Sequence, residues 1–327
     1  MARSETPPVT PESGHTAPAL VLLDWPSALG RPRPYNGDMS DLPRPRVVLL
    51  ADRSRPEIAA ICSVLRQTMA RHAELVRELP PDGQALPRDL EADLAVVVGG
   101  DGTLIRQARR LADHDIPLIG VNVGRLGFLA EFDAQSFAEQ AESIFGSSPQ
   151  IHQYTLLRTV VRDADGAVKR EDVAANDCVI SAGEPFRMIE LRVSVDDAEG
   201  PTLTGDGVIV ATPIGSTAYN VSAGGPIVYP TMQAMVITPL AAHSLAFRPI
   251  VLAGDAVLRI QVLRANEGTA LVPDGQATVA LTVGDIVEIR QHERTTRFVA
   301  NGETTYWGIL LDKLRWAAPP TYRDRGR

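Results

Sequence analysis

Gly99-Gly100-Asp101-Gly102-Thr103 combines residue types that suit phosphoryl transfer. Glycines let backbone N–H groups approach an anion closely, and a helix start adds a favourable dipole. Asp101 is the odd member, because a carboxylate repels phosphate. It has a use if it holds a metal ion or takes a proton from an attacking hydroxyl. The apolar run Leu94–Val98 before the stretch reads as a buried parallel strand, and the amphipathic segment Leu104–Ala112 after it as a helix. Taken alone, the five residues also suit a tight turn capped by an aspartate.

A second constellation runs from Gly205-Asp206-Gly207 through Val208–Ala211 and Thr212-Pro213 to Gly215-Ser216-Thr217-Ala218-Tyr219, then Ser222-Ala223-Gly224-Gly225-Pro226. Val208–Ala211 reads as a strand, Gly215 as a turn, and Ser216 as the N-cap of a short helix. Small residues and hydroxyls at a helix start let a ligand lie on the backbone. Tyr219 offers an aromatic face to a base.

The elements that must position these residues fall into two patterns. Arg46–Leu50, Glu74–Glu78, Leu94–Val98 and Ile116–Val121 read as strands. Pro56 opens a helix to about His72, with Ile58, Ile61, Leu65 and Met69 on one face. Such alternation implies parallel βαβ units, with a ligand site at the carboxyl ends of the strands. The glycine-rich turn is at such an end, as is Asn122 with Gly124–Phe128. From about residue 150 short strands dominate: Tyr154–Arg162, Val173–Ile180, Ile189–Val195, Val208–Ala211, Ala256–Val262, Ala277–Leu281 and Asp285–Ile289. They predict an all-β, sandwich-like domain. Tyr306–Trp316 returns to helical spacing and is expected to pack back on the first domain. The predicted fold is therefore an α/β domain with a parallel sheet plus an all-β C-terminal domain. The boundaries are a proline-rich tail at 1–44, domains at 45–150 and 151–303, and a C-terminal helix and tail at 304–327. The eight prolines between Pro7 and Pro43 predict a disordered tail.

Bulk composition narrows the function classes. The chain has 327 residues, 44% hydrophobic and 22% charged, enough for a large core. A formal net charge of -8 argues against a general nucleic-acid binder. Lys169 and Lys313 are the only lysines, so any charge-based phosphate clamp must use arginine, a metal or backbone N–H groups. Cys62 and Cys178 are too few for a disulfide framework and fit a reducing cytoplasm. No apolar run approaches the ~20 residues that span a bilayer, and no secretory signal pattern is present. No membrane association is expected.

The two constellations resemble the NAD kinase family closely. Its pattern has GGDGT in the first domain, an Asn-Glu pair, and DGxxVSTPTGSTAYxxSAGGP in the second. Gly99–Thr103, Asn176-Asp177 and Asp206–Pro226 match it. Asn122-x-Gly124-Arg125-Leu126-Gly127-Phe128-Leu129, His243-Ser244-Leu245 with Arg248-Pro249, Asp274-Gly275-Gln276 and Lys313-Leu314-x-Trp316 also fit. The resemblance covers about residues 46 to 317.

The resemblance implies phosphorylation of the adenosine-ribose 2′-hydroxyl of NAD by ATP, with Mg²⁺ accompanying the ATP and no protein metal site. It makes Asp101 the general base. It assigns NAD contacts to Asp101, Gly102, Asn122, Asn176, Asp177, Asp206, Thr217, Ala218, Tyr219, Ser222 and Gln276. Gly99, Gly100, Thr103, Arg106 and Arg187 fall on phosphate- or nucleotide-binding positions, although Arg106 also reads as an exposed helix charge. The partners implied are the small-molecule substrates and a homodimer or homotetramer in the cytoplasm. Three departures stand out. Asp177 replaces the usual Glu, Ala211 and Ile214 replace Ser and Thr, and Thr204 stands where many members carry a cation. Rival readings are a lipid kinase of the diacylglycerol or sphingosine type, a phosphofructokinase-like sugar kinase, and an inactive dinucleotide-binding regulator.

Overall fold

Strand β1 (Arg46–Ala51) from Val47 onward and all of strand β3 (Leu94–Val98) are apolar and buried, as strands covered on both faces must be. They pair in parallel, with β2 (Glu74–Leu79) on one side and β4 (Leu118–Val121) on the other. In this computed structural model the described residues are 44–81, 86–87, 89–124, 127–146, 149–196 and 198–315. The tail 1–43, Arg125, Leu126 and Trp316 lie outside them.

Helix α1 (Pro56–His72) has Pro at its start, where the missing N–H costs no hydrogen bond, and buries Ile58, Cys62, Leu65 and Met69. With α3 (Ala134–Glu139) and α4 (Ala141–Ile144) it covers one sheet face around Phe132 and Phe137. Each of these buried rings contributes roughly 2–3 kcal/mol relative to exposure. Helix α2 (Asp101–Leu111) packs Leu104, Ile105, Ala108 and Leu111 against the other face.

The second half of the chain supplies β5 (Ile151–Arg162), β6 (Val168–Ala174), β7 (Asp177–Ser181), β8 (Ile189–Val195), β9 (Ala198–Gly205) and β10 (Gly207–Ala211). After the short helix α5 (Tyr219–Ser222) come β11 (Ala234–Leu240), β12 (Ile250–Ala253), β13 (Leu258–Arg264), β14 (Ala270–Pro273), β15 (Val279–Ala280) and β16 (Ile286–Val299). One ten-stranded sheet has the order β2-β1-β3-β4-β16-β13-β8-β9, with β5 pairing β16 and β6. The second sheet is antiparallel, six strands in the order β12-β11-β10-β7-β14-β15. Their facing side chains, among them Leu157, Ile180, Val210, Leu258 and Val287, make the sandwich core. Phe298 of β16 pairs in parallel with Leu118 of β4, so the first sheet continues across the predicted border at residue 150.

Helix α6 (Tyr306–Leu314) is N-capped by Thr305, whose hydroxyl accepts the Gly308 N–H. The segment before it is tied to the first half, where Asn301 N–H donates to Glu131 and the Gln140 amide to Asn301. The fold class read from sequence stands, with corrections to individual elements. Val173–Ile180 is two strands broken at Ala175-Asn176, because Ala175, Asn176 and Asp177 donate their N–H groups to Asp274. The strand expected at Asp285–Ile289 runs on to Val299 along β5, with a register shift between Gln291 and Thr295. Ser216 is not an N-cap. It lies within a 3-10 turn, Ile214–Thr217, where its hydroxyl donates to Pro213 O and accepts Val228 N–H.

Candidate active site

Asp101 is the first residue of α2, directly after the carboxyl end of β3. Its side chain reaches the loop that follows β4. Oδ2 accepts the Phe128 N–H at 2.8 Å, and Oδ1 accepts the Leu129 and Ala130 N–H groups at 3.0 and 3.1 Å. A carboxylate has about four acceptor positions, so one remains on Oδ2. The approach requires glycine at 127, where a Cβ would stand 2.0 Å from Asp101 Oδ1. Gly100 is the helix N-cap and brings no side-chain cap. A Cβ at Gly100 or Gly102 would meet nothing within 4 Å, so there is room beside this helix start, where an anion is favoured. Gly99 is packed instead, against Thr103.

Asp101 lines a pocket of about 140 Å³ with Ile105, Phe128, Asn176, Thr217 and Ala218. Asn176 and Ala218 also line a second compartment of about 410 Å³, with Asp177, Tyr219 and Asp274. Together the two make one elongated site, with Asp101 at one end and Asp177 and Tyr219 at the other.

Buried polar side chains hold this wall. Thr212 donates to Ala175 O and accepts the Gly215 N–H. Gly215 is obligatory, since a Cβ there would stand 1.9 Å from Asn176 O. Asn220 donates to Ser216 O and Pro226 O and accepts the Thr238 hydroxyl. The Asp274 side chain is fully enclosed and accepts the N–H groups of Ala175, Asn176 and Asp177 at 2.8, 2.7 and 3.1 Å. Its φ of 49° is one that few non-glycine residues adopt. Arg109 stands 3.6 Å from the carboxylate.

Asp177 differs from both. It is buried, and among the described residues no donor reaches its carboxyl group. Burial, with the Asp274 carboxylate alongside, pushes its pKa up to about 7. Burial also pushes Asp274 upward, opposed by its N–H bonds and Arg109. Three N–H groups and Arg109 favour the charged form at Asp274 and no such donor does so at Asp177, so the neutral acid is favoured at Asp177.

Asp101, Asn176, Asp177, Thr217, Ala218 and Tyr219 thus come together around the elongated site, with Gly100 and Gly102 beside it at the start of α2. The other expected residues stand apart from its lining. Asn122 directly follows β4 and accepts the Gly124 N–H. Asp206 is exposed at the bend into β10, next to Gly207, which pairs with Ser181. Ser222 and Arg187 are exposed, and the Arg187 carbonyl accepts from Asn266. Arg106 and Gln276 line a separate open groove of about 800 Å³ with Arg109, Arg110 and Arg170. The expectations missed Asp274, Thr212 and Gly127 as site residues. The Asp274-Gly275 dipeptide after a strand was the available signal for a special backbone position.

The described residues contain no group of three His, Cys, Asp or Glu side chains placed to hold a metal ion. No helix among them is long and apolar enough to cross a membrane.

Residues 84–148 match the ATP-NAD kinase N-terminal domain, and residues 175–301 match the ATP-NAD kinase C-terminal domain. The chain is 41% identical to the NAD kinase of Syntrophotalea carbinolica over 224 residues, 68% of this chain and 78% of that protein. It is 41% identical to the NAD kinase of Trichlorobacter lovleyi over 249 residues, 76% and 86% of the two chains. The fold is similar to that of yeast NADH kinase complexed with NADH, with a TM-score of 0.74, 22% identity, and coverage of 88% and 91% of the two chains. It is also similar to an NAD kinase from Archaeoglobus fulgidus in complex with ATP, with a TM-score of 0.66, 26% identity, and coverage of 83% and 98%. Both halves of the chain, and the motifs that line the elongated site, agree in placing it in the NAD kinase family.

Proposed function

We propose that the chain transfers the γ-phosphoryl group of ATP to the 2′-hydroxyl of the adenosine ribose of NAD, giving NADP and ADP. The observation that carries this reading is Asp101. Its carboxylate is immobilised by three backbone N–H groups, keeps one acceptor position open, and lines a pocket that shares Asn176 and Ala218 with the Asp177–Tyr219 compartment.

A ribose hydroxyl is a weak nucleophile, so a base within hydrogen-bond reach lowers the barrier. The O2′–P bond forms, the bond from Pγ to the bridging oxygen of ADP breaks, and the hydroxyl proton passes to Asp101 Oδ2. Little covalent work remains for the protein, and positioning dominates. Asn176, Thr217 and Ala218 form the floor on which the adenosine half lies. Tyr219, half-exposed, offers its ring at the mouth. Asp177, protonated near neutral pH, can donate a hydrogen bond as well as accept one. Gly100 and Gly102 leave the start of α2 open to donor phosphate oxygens. Residues 45–150 thus supply the base, and 151–303 the dinucleotide platform.

Among the described residues no three His, Cys, Asp or Glu side chains are placed to hold a metal ion. A divalent ion such as Mg²⁺ would arrive on the triphosphate and neutralise its charge. The same reading places the enzyme in the cytoplasm, in keeping with two buried free thiols, Cys62 and Cys178. It also makes the enzyme a homodimer or homotetramer, which light scattering tests directly.

The test is incubation of the purified full chain with ATP, Mg²⁺ and NAD, followed by enzymatic detection of NADP. NADP formation is expected. Its absence with dinucleotide binding intact would establish the regulator instead, and phosphorylated lipid the lipid kinase.

A further inference from the structure

We infer that a partly open cavity of about 540 Å³ beside the Asp101 pocket is a second binding site, for an uncharged nitrogen heteroaromatic ring. Its occupant bears on Asp101 through Phe128 and Leu129. The inference rests on the reading of the Asp101 pocket as the acceptor site.

The two spaces share a wall, since Phe128, Leu129, Ile214 and Thr217 line both. The cavity's volume lies within the roughly 300–1,000 Å³ typical of small-molecule sites. It is rich in aromatic side chains: Tyr154, Tyr229, Tyr306 and Trp307 line it, with His152 between strands and helix. Tyr229 and Tyr306 meet edge to face, centroids 5.1 Å apart. Such walls suit a planar ring.

The polar groups define the charge of the occupant. Among the described residues no lysine or arginine lines the cavity, so they offer a phosphate no cation there. Glu131 lines it, and its carboxyl group accepts one N–H, from Asn301. Burial, with the Asp101 carboxylate as a lesser contributor, pushes Glu131 above the usual carboxylate range. An anion in the cavity would meet that group directly. A ring with N–H donors and lone-pair acceptors meets Glu131, the His152 imidazole and the Tyr306 hydroxyl instead. That hydroxyl is buried without a hydrogen-bond partner, an arrangement that a ligand would complete.

The occupant reaches the chemistry through the backbone. Phe128 and Leu129 line the cavity and donate their N–H groups to Asp101. A ring stacked on that wall holds in place two of the three donors that aim the carboxylate. This chemistry has two sources: the base of the nucleotide that donates the phosphate, or a free base or nucleoside acting as a separate effector.

The experiment uses the full chain with NAD at saturation and adenosine as the probe. A photoreactive azido-adenosine is expected to label the peptides Gln150–Tyr154, Tyr229–Thr231 or Thr304–Ile309. Thr304→Trp, which fills the cavity from its rim, is expected to remove the labelling. His152→Ala is expected to weaken adenosine binding at least fivefold. If ATP competes with adenosine and Thr304→Trp raises the KM for ATP tenfold or more, the ring is the donor's base. If adenosine binds together with ATP and shifts kcat, it is an effector. Labelling confined to Asn176–Ser181, or no saturable adenosine binding in the presence of NAD, overturns the inference. A wild-type chain that forms no NADP from any donor would instead overturn the acceptor-site reading, with the labelling pattern still decisive for the cavity.

Discussion

Asp101 and Asp177 are identical side chains at opposite ends of one elongated site, and their surroundings are opposite. Asp101 is partly exposed and accepts three backbone N–H groups at a helix start. Asp177 is buried, receives no donor among the described residues, and sits beside a second carboxylate. The first environment holds a carboxylate still, with one acceptor position open. The second favours a neutral acid. Donors, not residue type, separate a base from a hydrogen-bonding specificity group.

The sharpest way to break the comparison is Asp101→Asn. Turnover is expected to fall by about 10²–10⁴-fold. NAD affinity should stay within about fivefold, because one amide oxygen can still accept the Leu129 and Ala130 N–H groups. Near-wild-type turnover in steady-state assays would reduce Asp101 to a loop anchor.

Asp274→Ala should come next, destabilising the fold by about 2–4 kcal/mol in denaturant titrations. It leaves three N–H groups and Arg109 without their carboxylate. It also removes the neighbouring charge from Asp177, lowering that pKa. Unchanged stability would mean that water replaces the carboxylate.

A pH series tests Asp177 itself. The folded chain holds its proton up to about pH 7, whereas the unfolded chain releases it near the ordinary aspartate value of 3.8. Between those values the folded state binds more protons, so this contribution to stability falls as pH rises from about 4 to 7. Asp177→Asn should flatten that slope and stabilise the fold at pH 8 by about 1–3 kcal/mol. An unaltered slope would show that Asp177 ionises freely in the folded chain.

The smallest expected effect is Tyr219→Ala. Base–aromatic stacking contributes about 1–3 kcal/mol, and the half-exposed ring points to the lower end. Calorimetric NAD titration should show the loss, with the stability of the fold unchanged.

Much of this was legible in the chain, for physical reasons that differ by region. Leu94–Val98 and Ile189–Val195 stand at their expected bounds, because a local apolar run or alternation suffices to define them. β11 went unrecognised although five of its residues are buried, since Pro239 breaks the look of a strand. The polar run from Arg290 to Arg297 hid the second half of β16, whose partners on β5 are far away in sequence. The Asn176-Asp177 pair was visible as a motif. Its break from β6 was not, because Asp274 makes it from 98 residues away. Asp101 was visible as a candidate base, but the amides that hold it belong to residues 27 to 29 positions later.

The strand β16 has one more consequence, for the order in which the molecule can be made. Leu118 emerges from the ribosome long before Phe298, its only registered partner on β16. Until then that side of the parallel sheet is an unpaired edge, a template for wrong association. The nascent N-terminal half must wait, protected or incomplete, for the last strand among the described residues to close it.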